Sequence, residues 1–468
     1  MNYNARSIID KSQIGESFEN IDDSLDWLLS QAMKKGYDAE VRAELVAEGT
    51  TRFGVSQITQ HTDIFKLIFN LKLSKGKKFA AASFSVLRKQ GLQALLNNVI
   101  QGLKSTPDIK FYQGLPSPRP GTTINMSGKE WTIEDRTDAV LQSVQAAEEV
   151  SPNVIIAGTA TERKVYKRIL STEDVDVEDA YQNNYFKVNA ICGEPNRRGY
   201  GQEEIYWRYD EPNYTVMAEE ATRTALDTID QLNMDAPKKY EVLLGPQAVA
   251  DLIIFVLLSA DATSFHETNS FTSDRLGDQI FDKKLTIENL PRNTKQATIV
   301  SSFDYEGLTT KNQTFFDRGV LKFIPYDSFY AAKYLKNKNA ATAHLMPFPW
   351  GVANFPVSAV ISPGNKTLEE QISEIKNGLY VKNFWYNRFT IRREGGLTGL
   401  TRNGLYNVKN GEIKNAVRNL RYTESFVSAF SPGNIISLSS ETRNFLTSNV
   451  PSIHLKSYQF SSIAHTNV

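Results

Sequence analysis

Apolar positions lay out the elements of this chain before any chemistry does. Leu25, Leu28, Leu29 and Ala32 recur at helical spacing behind Asp22 or Asp23, either of which can cap a helix that Gly36 stops. The spacing then drops to two: Val41, Ala43, Leu45 and Ala47 point one way, Glu40, Arg42 and Glu44 the other, which predicts a strand. Phe53, Val55 and Ile58 predict a second strand. Phe65, Leu67, Phe69, Leu71 and Leu73 alternate up to Ser74-Lys75-Gly76-Lys77, and residues 79–85 return from it as a hairpin. Helical spacing resumes over 87–103, 133–150 and 213–232, with a weaker strand region at 154–167 and 180–209. A Pro-rich connector occupies 113–121.

After Asp235-Ala236-Pro237 the pattern shifts from charged helix to apolar segment, so domains are expected at 1–235 and 238–468. Residues 240–244 read as a strand, and Gly245-Pro246 starts a helix over 248–259 that is apolar nearly all round. Its apolar run, broken by Asp251, is far short of the roughly 20 residues that span a bilayer, so it reads as a buried helix. Strands dominate beyond it. Residues 379–392 alternate until Gly395-Gly396, and Asn403-Gly404 and Asn410-Gly411 each predict a tight hairpin. The fold class expected is α+β: a mixed N-terminal domain and a C-terminal domain rich in antiparallel sheet.

Composition narrows the partners. The 468 residues are 41% apolar and 23% charged, with 25 Phe and 20 Tyr, which excludes disorder and favours a strand-rich globular protein. Lys plus Arg and Asp plus Glu are both 53, so no global field holds nucleic acid or an anionic membrane. The first residues are polar and lack a secretory core; with the single cysteine, Cys192, this predicts a cytoplasmic protein without disulfides.

The residues alone give no complete catalytic set. His266-Glu267 looks like the start of a metallopeptidase helix, but the position one turn on is Ser270 and then Phe271, so no second imidazole reaches the same ion. Cys192 could be activated by Arg197 and Arg198, although a small buried core residue is the favoured reading. Asp174, Asp176 and Glu178 could hold calcium, but the run lacks the loop glycine and the closing Glu, and Ser171 reads better as a helix start. Gly199-Tyr200-Gly201 has no phosphate-loop spacing.

Several ordered blocks carry a resemblance: TRFGVSQITQHTD from Thr51, SFTSDRLGDQIFDKKLTIENLP from Ser270, and FDYEGLTTKNQTFFDRGVLKFIPYDSFYAAK from Phe303. The most telling begins at Gly378, GLYVKNFWYNRF, and continues through GGLTGLTRNGLYNVKNGEIKNAVRNLRYTESF to Phe426. Together they resemble the TldD/TldE (PmbA) metallopeptidase-like family. The resemblance implies a two-domain α+β dimer with a cavity between subunits, in which a zinc-bearing TldD-type subunit cleaves unfolded peptides. That subunit carries an H-E-x-x-x-H helix and a C-terminal cysteine. The corresponding places here are Leu257–Thr263 (LLSADAT) and residues 450–461, which lack both imidazoles, the Glu and the thiol.

The chain therefore looks like the TldE/PmbA kind, with no catalytic residue, metal or cofactor of its own and zinc expected in a TldD-type paralogue. It would pair with that paralogue as a heterodimer, or with itself. His266 and Glu267 are the only weak metal alternative. An extended peptide could pair with a strand edge. The expected edge is Gly395, Gly396, Leu397, Thr398, Gly399 and Thr401. Rival readings are an autonomous metallopeptidase with an atypical site and a non-enzymatic homodimeric binding protein.

Overall fold

The computed structural model describes residues 20–85, 88–124, 127–297, 299–348, 351–354 and 356–464. Expectations falling on the first residues and on His465 lie outside them. Six antiparallel strands form the first sheet: β1 (Asp38–Gly54), β2 (Gln57–Lys75), β3 (Lys78–Phe84), β4 (Ile155–Ser171), β5 (Asp176–Glu194) and β6 (Arg197–Trp207), in the order β3-β2-β1-β4-β5-β6. The sequence pattern divides the start of this sheet into two strands, but β1 runs unbroken to Gly54. The reversal falls at Val55-Ser56, both with positive φ. The acidic run begun at Ser171 is likewise no helix start; it is the turn between β4 and β5, with Asp174 at φ 61°.

Four helices cover one face of this sheet in two patches. Helices α1 (Ile21–Lys34) and α2 (Lys89–Ser105) bury Leu25, Leu28, Leu95 and Leu96 against Val41, Ala43 and Leu71. Asn20, not an aspartate, precedes α1, and Asp22 sits in its first turn, ion-paired to Arg168 at 2.5 Å. Helices α3 (Ile133–Val150) and α4 (Tyr214–Asp227) cover the β4–β6 end around Trp131, Phe186 and Trp207. Thr132 and Asp135 close a reciprocal capping box on α3.

The second sheet is built from β7 (Lys238–Leu244), β8 (Ile287–Asn289), β9 (Gln313–Asp317) and β10 (Val320–Leu321). A separate hairpin pairs β11 (Leu345–Phe348) with β12 (Gly351–Asn354). The sheet continues with β13 (Ala359–Ile361), β14 (Asn377–Phe389), β15 (Gly396–Lys409) and β16 (Glu412–Ala416), then β17 (Leu420–Ser425), β18 (Ile435–Phe445) and β19 (Ser448–Ile463). Strands β7, β14, β15, β17 and β19 pair in a closed ring, because β19 returns to β7. Most pairings are antiparallel; β7–β14 and β13–β19 are parallel. Helix α5 (Pro246–Leu258) packs on β14 and β19, burying Val249, Leu252, Ile253 and Val256.

Asn410-Gly411 turns the chain between β15 and β16, as its sequence predicts. Asn403-Gly404 does not. Both residues have positive φ, but they lie inside β15, where two residues oppose Lys382 of β14. The same backbone freedom serves a bulge here instead of a reversal.

Candidate functional site

The place where the family resemblance puts a zinc-binding helix is the junction between α5 and a short helix α6 (Ala262–His266). Gly245 and Pro246 start α5, and Ser259 ends it with its hydroxyl donating to the Phe255 carbonyl at 2.8 Å. Asp261 then caps α6, accepting from the Thr263 and Ser264 amides at 2.9 and 3.0 Å. Leu257, Ala260 and Ala262 are fully buried. The only carboxylate of the stretch is thus engaged with backbone, and neither imidazole nor thiolate is present. A single carboxylate already bound to backbone does not fit zinc, which takes three or four imidazole, thiolate or carboxylate ligands in a tetrahedron. On β19, the corresponding C-terminal stretch offers His454, buried and hydrogen-bonded through Nε2 to Glu241 at 2.9 Å.

His266 and Glu267 follow at the end of α6, and each has other partners. The His266 Nε2 lies 2.8 Å from the Tyr326 hydroxyl, and its ring stacks on Tyr334 with centroids 4.1 Å apart. Burial holds its pKa below the usual histidine value. Glu267 accepts from Lys333 at 3.1 Å and from the Tyr334 hydroxyl at 3.0 Å, and these bonds hold its carboxyl below the usual range. The arrangement is a hydrogen-bonded aromatic patch. Among the described residues no three His, Cys, Asp or Glu side chains converge where an ion could sit.

The expected peptide-binding edge is corrected by the pairing. Gly396 to Leu400 pair with β17, from Gly396 opposite Ser425 to Leu400 opposite Arg421. Leu397, Thr398, Leu400 and Thr401 pair on the other side with β14. Both edges of β15 are taken from Leu397 to Leu400, so Leu397 and Thr398 offer no free backbone ladder, and Thr401 pairs with β14. Gly395 turns the chain with φ 66°, and a Cβ at Gly399 would stand 2.2 Å from the Asn387 Oδ1. These glycines serve a turn and close side-chain packing.

Cys192 is buried in the α4 face of the first sheet, its Sγ 3.9 Å from the Thr222 carbonyl, and burial raises its pKa. Arg197 turns instead to Asp230. Asp176 binds Arg168 at 3.1 Å and Glu178 accepts from Tyr166 at 2.9 Å, so the acidic run is spent within its hairpin.

Sequence reasoning missed a polar seam between the two sheets. The face of β1 that carries Glu40, Arg42 and Glu44 is covered by the loop Ser301–Glu306. Arg42 donates to the Tyr305 carbonyl at 2.9 Å and lies 4.0 Å over its ring. Lys167, fully buried, donates to Ser301 Oγ and the Phe303 carbonyl at 2.8 and 2.6 Å. Asp179 accepts from the Ser302 amide at 2.7 Å, and burial raises its pKa to about 6 against the pull of Lys167. Further along, Glu203 of β6 binds Lys382 at 2.7 Å and Arg443 at 2.5 Å. The charged face was visible in the alternation; what covers it was not.

Comparison with known proteins places these elements. A model of the PmbA/TldA metallopeptidase C-terminal domain matches residues 237–462, and one of the central domain matches residues 127–229. A zinc metalloprotease TldD homolog of Saccharolobus solfataricus is 26% identical over 221 residues, which are 45% of this chain and 46% of that protein. The chain thus matches about half the length of that relative. Solved TldE from Thermococcus kodakarensis superposes with a TM-score of 0.85 at 15% identity, over 94% of this chain and 100% of the other. A Thermotoga maritima MSB8 protein described as a candidate modulator of a DNA gyrase gives 0.82 at 19% identity, over the same shares. At such identities these two structures establish a shared fold.

Proposed function

Because this chain belongs to the PmbA/TldD metallopeptidase family, we propose that it acts there as a TldE/PmbA-like subunit without a metal of its own. In this reading a TldD-type paralogue supplies the zinc in a cytoplasmic heterodimer that degrades or processes unfolded peptides, and this chain shapes their access. One observation carries it: at Leu257–Thr263 the side chains are buried apolar groups, helix hydroxyls and a capping aspartate, and none is a zinc donor of the imidazole or thiolate kind. A peptidase zinc polarises the scissile carbonyl and generates hydroxide from water when bound. This chain's residues at that place hold helix ends together and offer it nothing.

The rival autonomous site needs His266 and Glu267 free to converge on an ion. Their bonds to Tyr326, Tyr334 and Lys333 support the opposite. The test is a peptidase assay on unfolded peptides with this chain alone and mixed with an H-E-x-x-x-H paralogue from the same genome. Cleavage in the mixture only, with stoichiometric zinc in the paralogue only, is the expected result. Cleavage by this chain alone, lost on His266→Ala, would overturn the reading. A homodimer that neither joins the paralogue nor changes its activity would favour a binding protein.

A further inference from the structure

Among the described residues, no strand pairs with the outer edge of the first sheet over half of β2. This strand pairs with β1 along its whole length, from Asp38 opposite Ser74 to Gly54 opposite Gln57. On its other side β3 covers only Phe69 to Lys75. From Gln57 to Ile68 no described strand takes the outward backbone groups, and nearly every side chain there is exposed or half-exposed. The stretch has no proline, and its one register shift, opposite Arg52/Phe53, falls near the hairpin turn. Ile64 and Phe65, on opposite faces, are 37% and 42% exposed. Natural edges of this length are normally blunted by charge, bulge, proline or a covering element. Here Lys66 is the only Lys or Arg on it, with His61 and Asp63 as its other ionisable residues.

Beside that edge lies an acidic hollow of about 230 Å³, lined by Asp63 and Phe65 of β2, by β1, and by the first turn of α3. Its two cations are already engaged. Lys164 is held by Glu130 and Glu162 at 3.2 and 3.3 Å, and Arg136, buried, donates to the Trp131 carbonyl at 2.5 Å. Asp63 and Glu134 are both exposed, and Arg136 is the cation that acts electrostatically on each of them. Five carboxylates, Glu48, Asp63, Glu130, Glu134 and Glu162, line the hollow with two cations, Arg136 and Lys164, an excess of three negative charges.

We propose that the outer edge of β2, from Gln57 to Ile68, takes up an extended segment of another polypeptide as an added strand, with a basic side chain of that segment seated in the hollow at Asp63 and Glu134. An added strand lies about 4.8 Å from β2, and its residue opposite Asp63 projects onto the same face about 5 Å away. A lysine or arginine stem reaches the hollow from there, its methylenes along Phe65. Backbone pairing accepts almost any sequence, and the hollow selects the charge. A second copy of this chain fits less well. Two-fold pairing of β2 with itself sets residues of equal parity opposite each other, so Asp63 cannot oppose Lys66, and no register within Gln57–Ile68 sets it against a Lys or Arg.

The probes are a capped heptapeptide of alternating Thr and Val with a central Lys, the same peptide with norleucine in its place, and versions N-methylated at alternate residues. Binding to the full chain is read by fluorescence anisotropy and by amide hydrogen exchange. The Lys peptide is expected to slow exchange within residues 57–68 and to bind about 2- to 5-fold tighter than the norleucine peptide, the range of an exposed ion pair. Asp63→Asn with Glu134→Gln abolishes that difference without changing the fold. N-methylation is expected to weaken binding at least ~10-fold at one parity and to be tolerated at the other, the signature of a ladder with one bonded side. Equal tolerance at both parities, protection elsewhere, or no binding of any peptide would overturn the proposal. So would a homodimer in light scattering that dissociates on Phe65→Lys. Binding, not cleavage, is measured, so failure here leaves the zinc-partner reading standing.

Discussion

Asp251 sits in an otherwise apolar helix, accepting from the Phe384 amide at 2.8 Å and from Gln247 at 3.2 Å. Burial raises its pKa to about 7, because desolvation outweighs those two bonds. The folded state therefore binds this proton more tightly than the unfolded chain, whose value is 3.8. The stabilisation is complete below about pH 4 and is lost as pH rises through 7. Asp251→Asn is expected to gain on the order of 2–4 kcal/mol over the parent at pH 8.5 and little at pH 4. Denaturant melts at both pH values check this, and an equal effect at both would be inconsistent with it. Glu203 has the opposite sign. Burial would raise its pKa, but Lys382 and Arg443 more than offset that and hold it at about 2. Its contribution is present above pH 4.5 and fades toward pH 2.

At the scale of elements, two glycines of β6 show how a motif can be spent on packing. Gly199 and Gly201 have no phosphate-loop spacing and fall in the strand region expected at 180–209, and they lie in a strand under α4. A Cβ on Gly201 would stand 1.9 Å from the Ala221 carbonyl. The helix backbone approaches because no side chain intervenes, which is the physical reason for glycine at this spacing. Gly201→Val should force α4 off the sheet and cost about 3 kcal/mol or more, seen as a Tm drop of several degrees. The Asn403-Gly404 bulge is a milder case. There Gly404 has φ 122° and a Cβ would meet Lys382 Cδ at 2.7 Å. Gly404→Ala is expected to cost about 1–3 kcal/mol, and because Lys382 binds Glu203, it should also weaken that ion pair.

At the scale of the whole molecule, buried charges and small apolar clusters together join the two halves at the seam. Lys382 is bound by Glu203 and by Thr224 Oγ1 at 3.0 Å, so one lysine of the second sheet ties β6 and α4 of the first half to it. Removing one partner leaves a buried cation alone. Glu203→Gln is expected to cost about 3–5 kcal/mol and to raise proteolysis at residues 228–237, between the two halves. Replacing the whole triad by apolar residues of like size should cost much less. If Glu203→Gln and the triple variant are equally destabilised, the stranded-charge explanation fails. Any heterodimer with a zinc-bearing partner is built on a chain whose own halves are aligned by these bonds.

Much of the architecture could be read from periodicity. The Pro246 start of α5, the Gly76 hairpin and the apolar alternation of β2 are local, and local steric and solvation rules act on them directly. The blocks from Ser270, Phe303 and Gly378 likewise identify the family, because they hold enough fixed turns and glycines to be distinctive. The lack of imidazoles at Leu257–Thr263 and of a thiol at residues 450–461 is also a property of the sequence alone. Tertiary structure decided what neighbours would do with each local choice. Whether a glycine-rich strand is an edge, whether Asn-Gly reverses a chain or bulges it, and whether a charged face meets water or a second sheet all depend on residues distant in the chain. The strand at Gly396 lost its edge to β14 and β17, while the open edge fell to β2, because strand order follows from long-range pairing that no short window of sequence contains.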